Sequence, residues 1–328
     1  KRQDRDMQRI LVTGGAGFIG SHLVESLLSE GHFVTILDNM SSGNEIWMKS
    51  YIEHPRLKVI FGDIMDIFMV ESAMKNQDEV WHLAGNANIP LGYLDTQVDL
   101  NSAVQGTKNI LETMRKLGVT TIVFASSGAV YGNLSKDKVK ESSAPLYPLS
   151  LYAAGKLAAE AFISAYCHLF GLRGYIFRFG NVVGERMPRG VIRDFIEKLR
   201  ENPSELTILG DGTQEKSYFL VEECIEGMKY VKSHVVLESQ SEIFNLGNSL
   251  TTNVIQIAEI IADILNIENF RYQCTKREAW PGDQPVVKLD VSKVKQLGWH
   301  TKYNSYESVE IAACLLYTSP SPRDMRRS

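Results

Sequence analysis

Two residues on one helical stretch carry the first chemical signal. In Tyr152-Ala153-Ala154-Gly155-Lys156 the i, i+4 spacing puts a phenol and an ammonium on the same helix face. A cation held beside a phenol stabilises the phenolate and draws the tyrosine pKa toward neutrality, so the pair is a candidate acid–base couple. Such pairs also sit on ordinary exposed helices, so this one takes its weight from its surroundings. A third member is expected in Phe124-Ala125-Ser126-Ser127, just past a strand. The C-terminal ends of strands open into the ligand crevice of parallel sheets, where a serine hydroxyl can hydrogen-bond a substrate hydroxyl.

The second signal is Thr13-Gly14-Gly15-Ala16-Gly17-Phe18-Ile19-Gly20, which follows a strand and opens a helix. That context turns a weak glycine pattern into a dinucleotide site. Gly14 permits the tight turn, Gly17 lets a pyrophosphate approach the backbone, and Gly20 lets helix and strand pack closely. Phe18 and Ile19 begin a helix whose free N–H groups and positive dipole end face the phosphates. Asp38, followed by Asn39, ends the second strand about 20 residues past the glycines, where a carboxylate accepts from the adenosine ribose hydroxyls. It would repel a 2′-phosphate, which favours NAD over NADP. Asp63, followed by Ile64, stands after the third strand and reads as readily as a turn former as an adenine contact.

These groups need a scaffold. Strands are expected at Ile10–Thr13, Phe33–Leu37, Leu57–Phe61, Glu79–Leu83, Thr121–Ala125 and Gly174–Phe177, with helical patterns near 18–30, 66–75, 98–117 and 150–170. Strand–helix alternation with nearly continuous apolar strands predicts a doubly wound parallel α/β sheet covered on both faces. The second half is less regular, with helices near 191–200, 221–233 and 253–265 and a strand Ile243–Leu246. Residues 7–180 with a return segment 219–247 are assigned to the sheet domain, and 181–218 with 248–315 to a smaller mixed α/β lobe. Residues 1–6 and the Ser/Pro/Arg-rich stretch 316–328 read as foreign ends, the latter breaking a helical pattern near Leu316. Glu222-Glu223 reads as a solvated helix start, and His82, at a strand end, as a core residue.

Composition narrows the function classes. A net charge of -4 argues against a nucleic-acid partner, which calls for a basic face. No 18-residue apolar run spans a membrane. The four cysteines lie far apart, as expected of reduced cytoplasmic thiols, and the seven histidines show no metal-binding spacing.

On these residues the chain resembles the extended short-chain dehydrogenase/reductases, within their NAD-dependent epimerase/dehydratase group, and most nearly the UDP-glucose 4-epimerases. The glycine signature, His82-Leu83-Ala84-Gly85, Asn101 before Gly106-Thr107, the Ser127/Tyr152/Lys156 set and Arg178-Phe179-Gly180-Asn181 fall in the family's order. The resemblance implies a Rossmann domain, bound NAD, a UDP-sugar substrate and a homodimer built on the helices near 98–117 and 150–170. It makes Tyr152 the acid–base residue, Lys156 its partner and nicotinamide-ribose ligand, and Ser127 the group sharing the sugar 4-OH proton. It puts Ala84, Gly85, Asn101, Ser126 and Phe179 along the cofactor. It puts Asn181, Val191, Lys216, Arg277, Asp283 and Val287 around the nucleotide sugar, with Val287 standing where some relatives carry a pocket-narrowing tyrosine. Gly128 and Ala129 stand where related dehydratases and glucuronate decarboxylases carry acids.

Overall fold

The computed structural model describes residues 7–86, 88–134, 137–275 and 279–318. All six expected strands of the first half form: β1 (Arg9–Thr13), β2 (Phe33–Asp38), β3 (Leu57–Phe61), β4 (Glu79–His82), β5 (Thr121–Ser127) and β6 (Arg173–Phe179). With Ser241–Leu246 they build a seven-stranded parallel sheet in the order Ser241–Leu246, β6, β5, β4, β1, β2, β3. β1 pairs in parallel with β2 through Ile10↔Val34 and with β4 through Leu11↔Val80. The order reverses between β1 and β4. At such a switch point the loops leaving the strand ends diverge and open a crevice, and Thr13, Asp38, His82 and Ser127 all stand at strand ends.

The chain divides into two compact units. The first comprises the residues up to Ser127, Ser150–Phe177 and Val235–Ile243. Its central strands β1, β2, β4 and β5 are buried on both faces, which explains their largely apolar runs, whereas the edge strand β3 is partly exposed. Leu11, Leu37, Val80, Ile122 and Ile176 pack with Val70, Ile110, Leu111, Met114, Ile163 and Cys167 from the covering helices. The expected helix near 98–117 is three pieces, Gln97–Asp99, a π-helical turn Leu100–Gln105, and Gly106–Leu117. Two local features accompany the wider turn. Ser102 Oγ donates to Val98 O at 2.8 Å, and Gly106 lacks the side chain that would collide with Ile64.

The second unit comprises Gly128–Leu149, Arg178–His234 and the chain from Phe244 onward. Helices Val191–Glu201, Val254–Ile264 and Ser305–Thr318 pack on one another. Short strands flank them: Asn181–Val183 beside Tyr218–Leu220, Glu205–Ile208 beside Arg271–Cys274, and the ladder Thr252–Asn253, Glu215–Lys216, Val286–Val287. This partition differs from the division drawn by sheet membership. Gln284 Nε2 donates to Gly132 O at 2.6 Å and Val139 N to Lys288 O at 3.0 Å, which tie 128–149 to the second unit. Helix Val221–His234 packs on Tyr218–Leu220 and Asn181–Val183 and falls there too.

Two sequence readings need correction. The last helix does not break near Leu316. It runs to Thr318, Leu316 is buried, and Arg200 Nη2 donates to Tyr317 O at 2.8 Å. Residues 319–328 lie outside the described residues. Glu223 is not solvated but buried, where its carboxylate accepts from the N–H groups of Tyr303 and Lys302 and closes a loop onto the helix start.

Candidate active site

The glycine loop has the shape its sequence predicts. Gly14 sits at φ +71°, and a side chain there would come within 2.7 Å of Ala84 N, so the loop and the end of β4 touch backbone to backbone. A Cβ on Gly20 would collide with Gly14 O, so the helix Phe18–Ser29 seats directly on the turn. Gly17 caps that helix without a side-chain hydrogen bond. The N–H groups of its first turn, including Phe18 and Ile19, have no intrahelical partner. An anion could therefore approach bare backbone at the positive end of the helix dipole.

Asp38 is 8% exposed and accepts from Ala16 N at 2.9 Å and Met40 N at 2.8 Å. Burial raises its pKa, and the two backbone donors oppose that. Each carboxylate oxygen keeps a lone pair for a ribose hydroxyl. Asn39 Nδ2 donates to Asp63 Oδ2 at 2.8 Å, while Asp63 Oδ1 accepts from Met65 N at 2.8 Å. Asp63 is thus a turn former that also faces the Asp38–Asn39 corner. Ile64 is buried against Gly106.

His82 ties this floor together. Ala84 N donates to Thr13 Oγ1 at 3.2 Å, so Thr13 can give its proton to His82 Nδ1 at 2.6 Å. The other ring nitrogen, Nε2, meets Thr107 Oγ1 at 3.0 Å. Complete burial, with the nearby Lys156 charge, pushes the His82 pKa down to about 3, so the ring is neutral at physiological pH.

The acid–base set forms on β5 and helix Leu151–Phe170. Ser150 caps that helix by accepting from Ala153 N at 3.2 Å, and the helix then places Tyr152 and Lys156 one turn apart. Tyr152 is half-buried and hydrogen-bonded to Ser127. Desolvation raises its pKa, a nearby Asp99 adds to the rise, and the Ser127 bond lowers it. Lys156 is buried; Nζ donates to Ala125 O at 2.7 Å and lies 5.9 Å from the centre of the Tyr152 ring. Burial draws the Lys156 pKa down to about 8, against the pull of Asp99 and Glu160. Gly85 faces the same ammonium, since a Cβ there would stand 3.4 Å from Nζ. Ser126 turns inward and donates to Glu160 Oε1 at 2.5 Å. Asn101 lies in the π-helical turn, where Oδ1 accepts from Gln97 Nε2 at 2.8 Å. Together these groups can take a proton from a hydroxyl at Tyr152 and hold it across a Ser127–Tyr152 hydrogen bond.

In the second unit Lys216 Nζ meets Asp283 Oδ1 at 2.9 Å and lies 5.4 Å from the centre of the Trp280 ring. Val287 pairs with Lys216 across the short parallel ladder and is 6% exposed. Gly128 faces Val287, and a Cβ on it would stand 2.9 Å from Phe179 O and 3.3 Å from Val287 Cγ1. Asn181 N donates to Ser217 O at 2.7 Å, next in chain to Lys216. Val191 is the first residue of its helix, after Gly190 at φ +125°. Arg277 lies outside the described residues. Sequence reasoning missed Asp99, Glu160 and Trp280. Glu160 was findable, standing one further i+4 step along the Tyr152–Lys156 face.

Three comparisons bear on this geometry. The family model described as "NAD dependent epimerase/dehydratase family" matches residues 10–247. The chain is 36% identical over 307 residues to a Methanocaldococcus jannaschii protein named "Putative UDP-glucose 4-epimerase", covering 92% of this chain and 96% of that one. It is 31% identical to UDP-glucuronic acid decarboxylase 6 of Arabidopsis thaliana, covering 92% of this chain and 87% of that one. The crystal structure of the Thermus thermophilus UDP-glucose 4-epimerase in complex with NAD superposes with a TM-score of 0.84 at 28% identity, over 95% of this chain and 100% of that one.

Proposed function

Because the chain belongs to the NAD dependent epimerase/dehydratase family, a family of NAD-dependent enzymes, we propose that it interconverts UDP-hexoses epimeric at C4, UDP-glucose and UDP-galactose first among them, by transient oxidation. The observation that carries this reading is the Ser127–Tyr152 hydrogen bond with buried Lys156 beside it, on a strand end followed by no acid. Tyr152 as phenolate takes the 4-OH proton, Ser127 shares it, and the Lys156 ammonium stabilises the phenolate. The loop Gly14–Gly20, Asp38, Asn39, Asp63, Ile64, Ala84, Gly85, Asn101, Ser126, Phe179 and Lys156 would hold NAD, which supplies an acceptor and then a donor for the C4 hydride. Tyr152 returns the proton to the sugar oxygen once the 4-keto sugar has turned over. Lys216, Asp283, Asn181, Val191 and Arg277 would hold the nucleotide, so the sugar itself need not be gripped in one orientation.

A decarboxylase or dehydratase reading is disfavoured. Those reactions call for an added acid or base, and the space in which a side chain at Gly128 would start is filled by Phe179 O and Val287. Val287 stands where the resemblance puts a pocket-narrowing tyrosine in some relatives, and its shorter side chain is expected to admit UDP-N-acetylglucosamine as a second substrate. The protein is further read as a cytoplasmic homodimer. No helix is long and apolar enough to cross a membrane among the described residues. Leu151, Phe162, Leu169 and Phe170 leave apolar surface exposed on one helix, and light scattering at micromolar concentration checks the dimer. The enzymatic test is incubation with UDP-sugars without added cofactor, reading epimers by NMR. Formation of UDP-galactose from UDP-glucose supports the reading, and inertness toward every UDP-hexose even with excess NAD rejects it.

A further inference from the structure

Asp99 is a buried carboxylate whose two oxygens are used unequally. It ends the helical turn Gln97–Asp99 and is 1% exposed, so it is cut off from water. Oδ1 accepts from Asn86 Nδ2 at 3.0 Å, yet Oδ2 is buried with no hydrogen-bond partner among the described residues. A buried carboxylate oxygen left bare is costly, and such groups persist where something else uses them. Two glycines make the room. A Cβ on Gly92 would collide with Asp99 Oδ2, and one on Gly155, between Tyr152 and Lys156, would stand 3.2 Å from Asp99 O. Helix Leu151–Phe170 therefore lies against the Asp99 backbone at the turn that bears the acid–base pair.

We infer that Asp99 is a positioning residue for that pair: buried against the helix turn that bears it, the carboxylate supports the Lys156 ammonium and opposes ionisation of Tyr152. Burial raises the pKa of Asp99 itself, and Asn86 and Lys156 oppose that rise. The inference deepens the proposed function, since it rests on Tyr152 being the proton-transfer group. The opposing effects can be separated by partner. Asp99 supports the Lys156 ammonium, together with Glu160 on the next turn of the same helix. Asp99 also disfavours the Tyr152 phenolate, which Ser127 stabilises. From β4, His82 faces Lys156 but is neutral across the working range. On β5, Ser126 and Ser127 are uncharged, and Ser126 donates to Glu160. Glu112 and Arg115, on the helix Gly106–Leu117, pair with each other farther along, and Glu112 also accepts from Tyr166 Oη. Asp99 is thus the group that acts on both members at once. It keeps the phenol from ionising before substrate and dinucleotide are in place, while preventing the lysine from discharging.

The test reads Tyr152 itself, without any sugar. In protein labelled with ring-carbon-13 tyrosine, the Tyr152 resonance is the one lost in Tyr152→Phe, and its titration is followed by NMR. In Asp99→Asn, which preserves shape and removes charge, the Tyr152 midpoint should fall by about one pH unit, the scale of a nearby charge. Gly92→Ala, which pushes the carboxylate away without removing it, should move the midpoint the same way by less. A folded Asp99→Asn protein in which neither the Tyr152 midpoint nor that of the Lys156 ammonium, followed through nitrogen-15-labelled lysine, moves overturns the inference. If Asp99→Asn does not fold, an unchanged midpoint in Gly92→Ala overturns it. A shifted midpoint in a protein inert toward every UDP-hexose would leave this inference standing and sink only the substrate assignment.

Discussion

Each unit holds a sheltered lysine, buried in the first and half-buried in the second, and they treat its charge in opposite ways. Lys156 makes one described hydrogen bond, to the carbonyl of Ala125, and faces carboxylates that are near but not touching. Its ammonium lies 5.9 Å from the centre of the Tyr152 ring. Lys216 is bound directly to Asp283 at 2.9 Å and braced over Trp280, so its charge is already answered within the unit. The first arrangement suits a group that biases a proton equilibrium, and the second a group that orients a ligand. A lysine is compact and strongly hydrated, so burying it without an ion-pair partner is expensive. That cost shows in a pKa drawn down to about 8 for Lys156.

The contrast is broken most directly by removing the phenol. Tyr152→Phe keeps the ring and loses the oxygen, so kcat should fall by about 10²-fold or more, with the melting temperature little changed. Near-parental turnover would remove the first unit's lysine–phenol pair from the chemistry. On the pH axis, the Lys156 pKa is lowered, so the ammonium is present below about 8 and lost above it. The alkaline limb of kcat should therefore appear near that value, and a profile flat to pH 10 would mean the charge is not used.

Lys216→Met tests the other half. If Lys216 orients the nucleotide, KM for a UDP-sugar should rise about tenfold, close to the value of one charged hydrogen bond, with kcat within about twofold. A fall in kcat at constant KM would erase the distinction between the units. Stability should also drop, because Asp283 would be left buried without its ion-pair partner.

The last expectation concerns stability and leaves the chemistry aside. His82 is neutral in the folded protein down to about pH 3 but binds a proton below about 6.5 when unfolded. It contributes stability above 6.5 that is lost as pH falls, by about 1.4 kcal/mol per pH unit at the steepest. Denaturant unfolding between pH 6.5 and 4 should show a shallower pH dependence in His82→Asn, and equal slopes would mean that His82 does not titrate on unfolding.

The same division governs what the sequence made legible. The first unit's elements were readable because each signal is local: apolar runs for β1–β6, glycines spaced along one turn, and a phenol and ammonium four residues apart. The interruption of the helix at Leu100–Gln105 was not, since it accompanies Ile64 packing against Gly106 from 42 positions away. Asp99 was missed for the same reason, as its partner Asn86 and its two glycines share no period with it. In the second unit Lys216 and Asp283 are 67 residues apart, joined only once Pro285 O and Val287 O take their places beside Glu215 and Ser217. A resemblance could name the two residues, but no local pattern could pair them. Leu316 and Glu223 misled because tail composition and paired acids describe exposed chain on average. Here both are buried by contacts far away in sequence.

The central claim is that the Tyr152 set moves a proton while C4 of a nucleotide sugar is oxidised and then reduced within one binding event. It is tested by supplying UDP-glucose deuterated at C4 to the protein as purified, without added dinucleotide, and following the product by NMR. The account predicts UDP-galactose that retains deuterium at C4. Epimer formed with the label washed into solvent would contradict it, because the hydrogen would then have left as a proton rather than as a hydride held and returned.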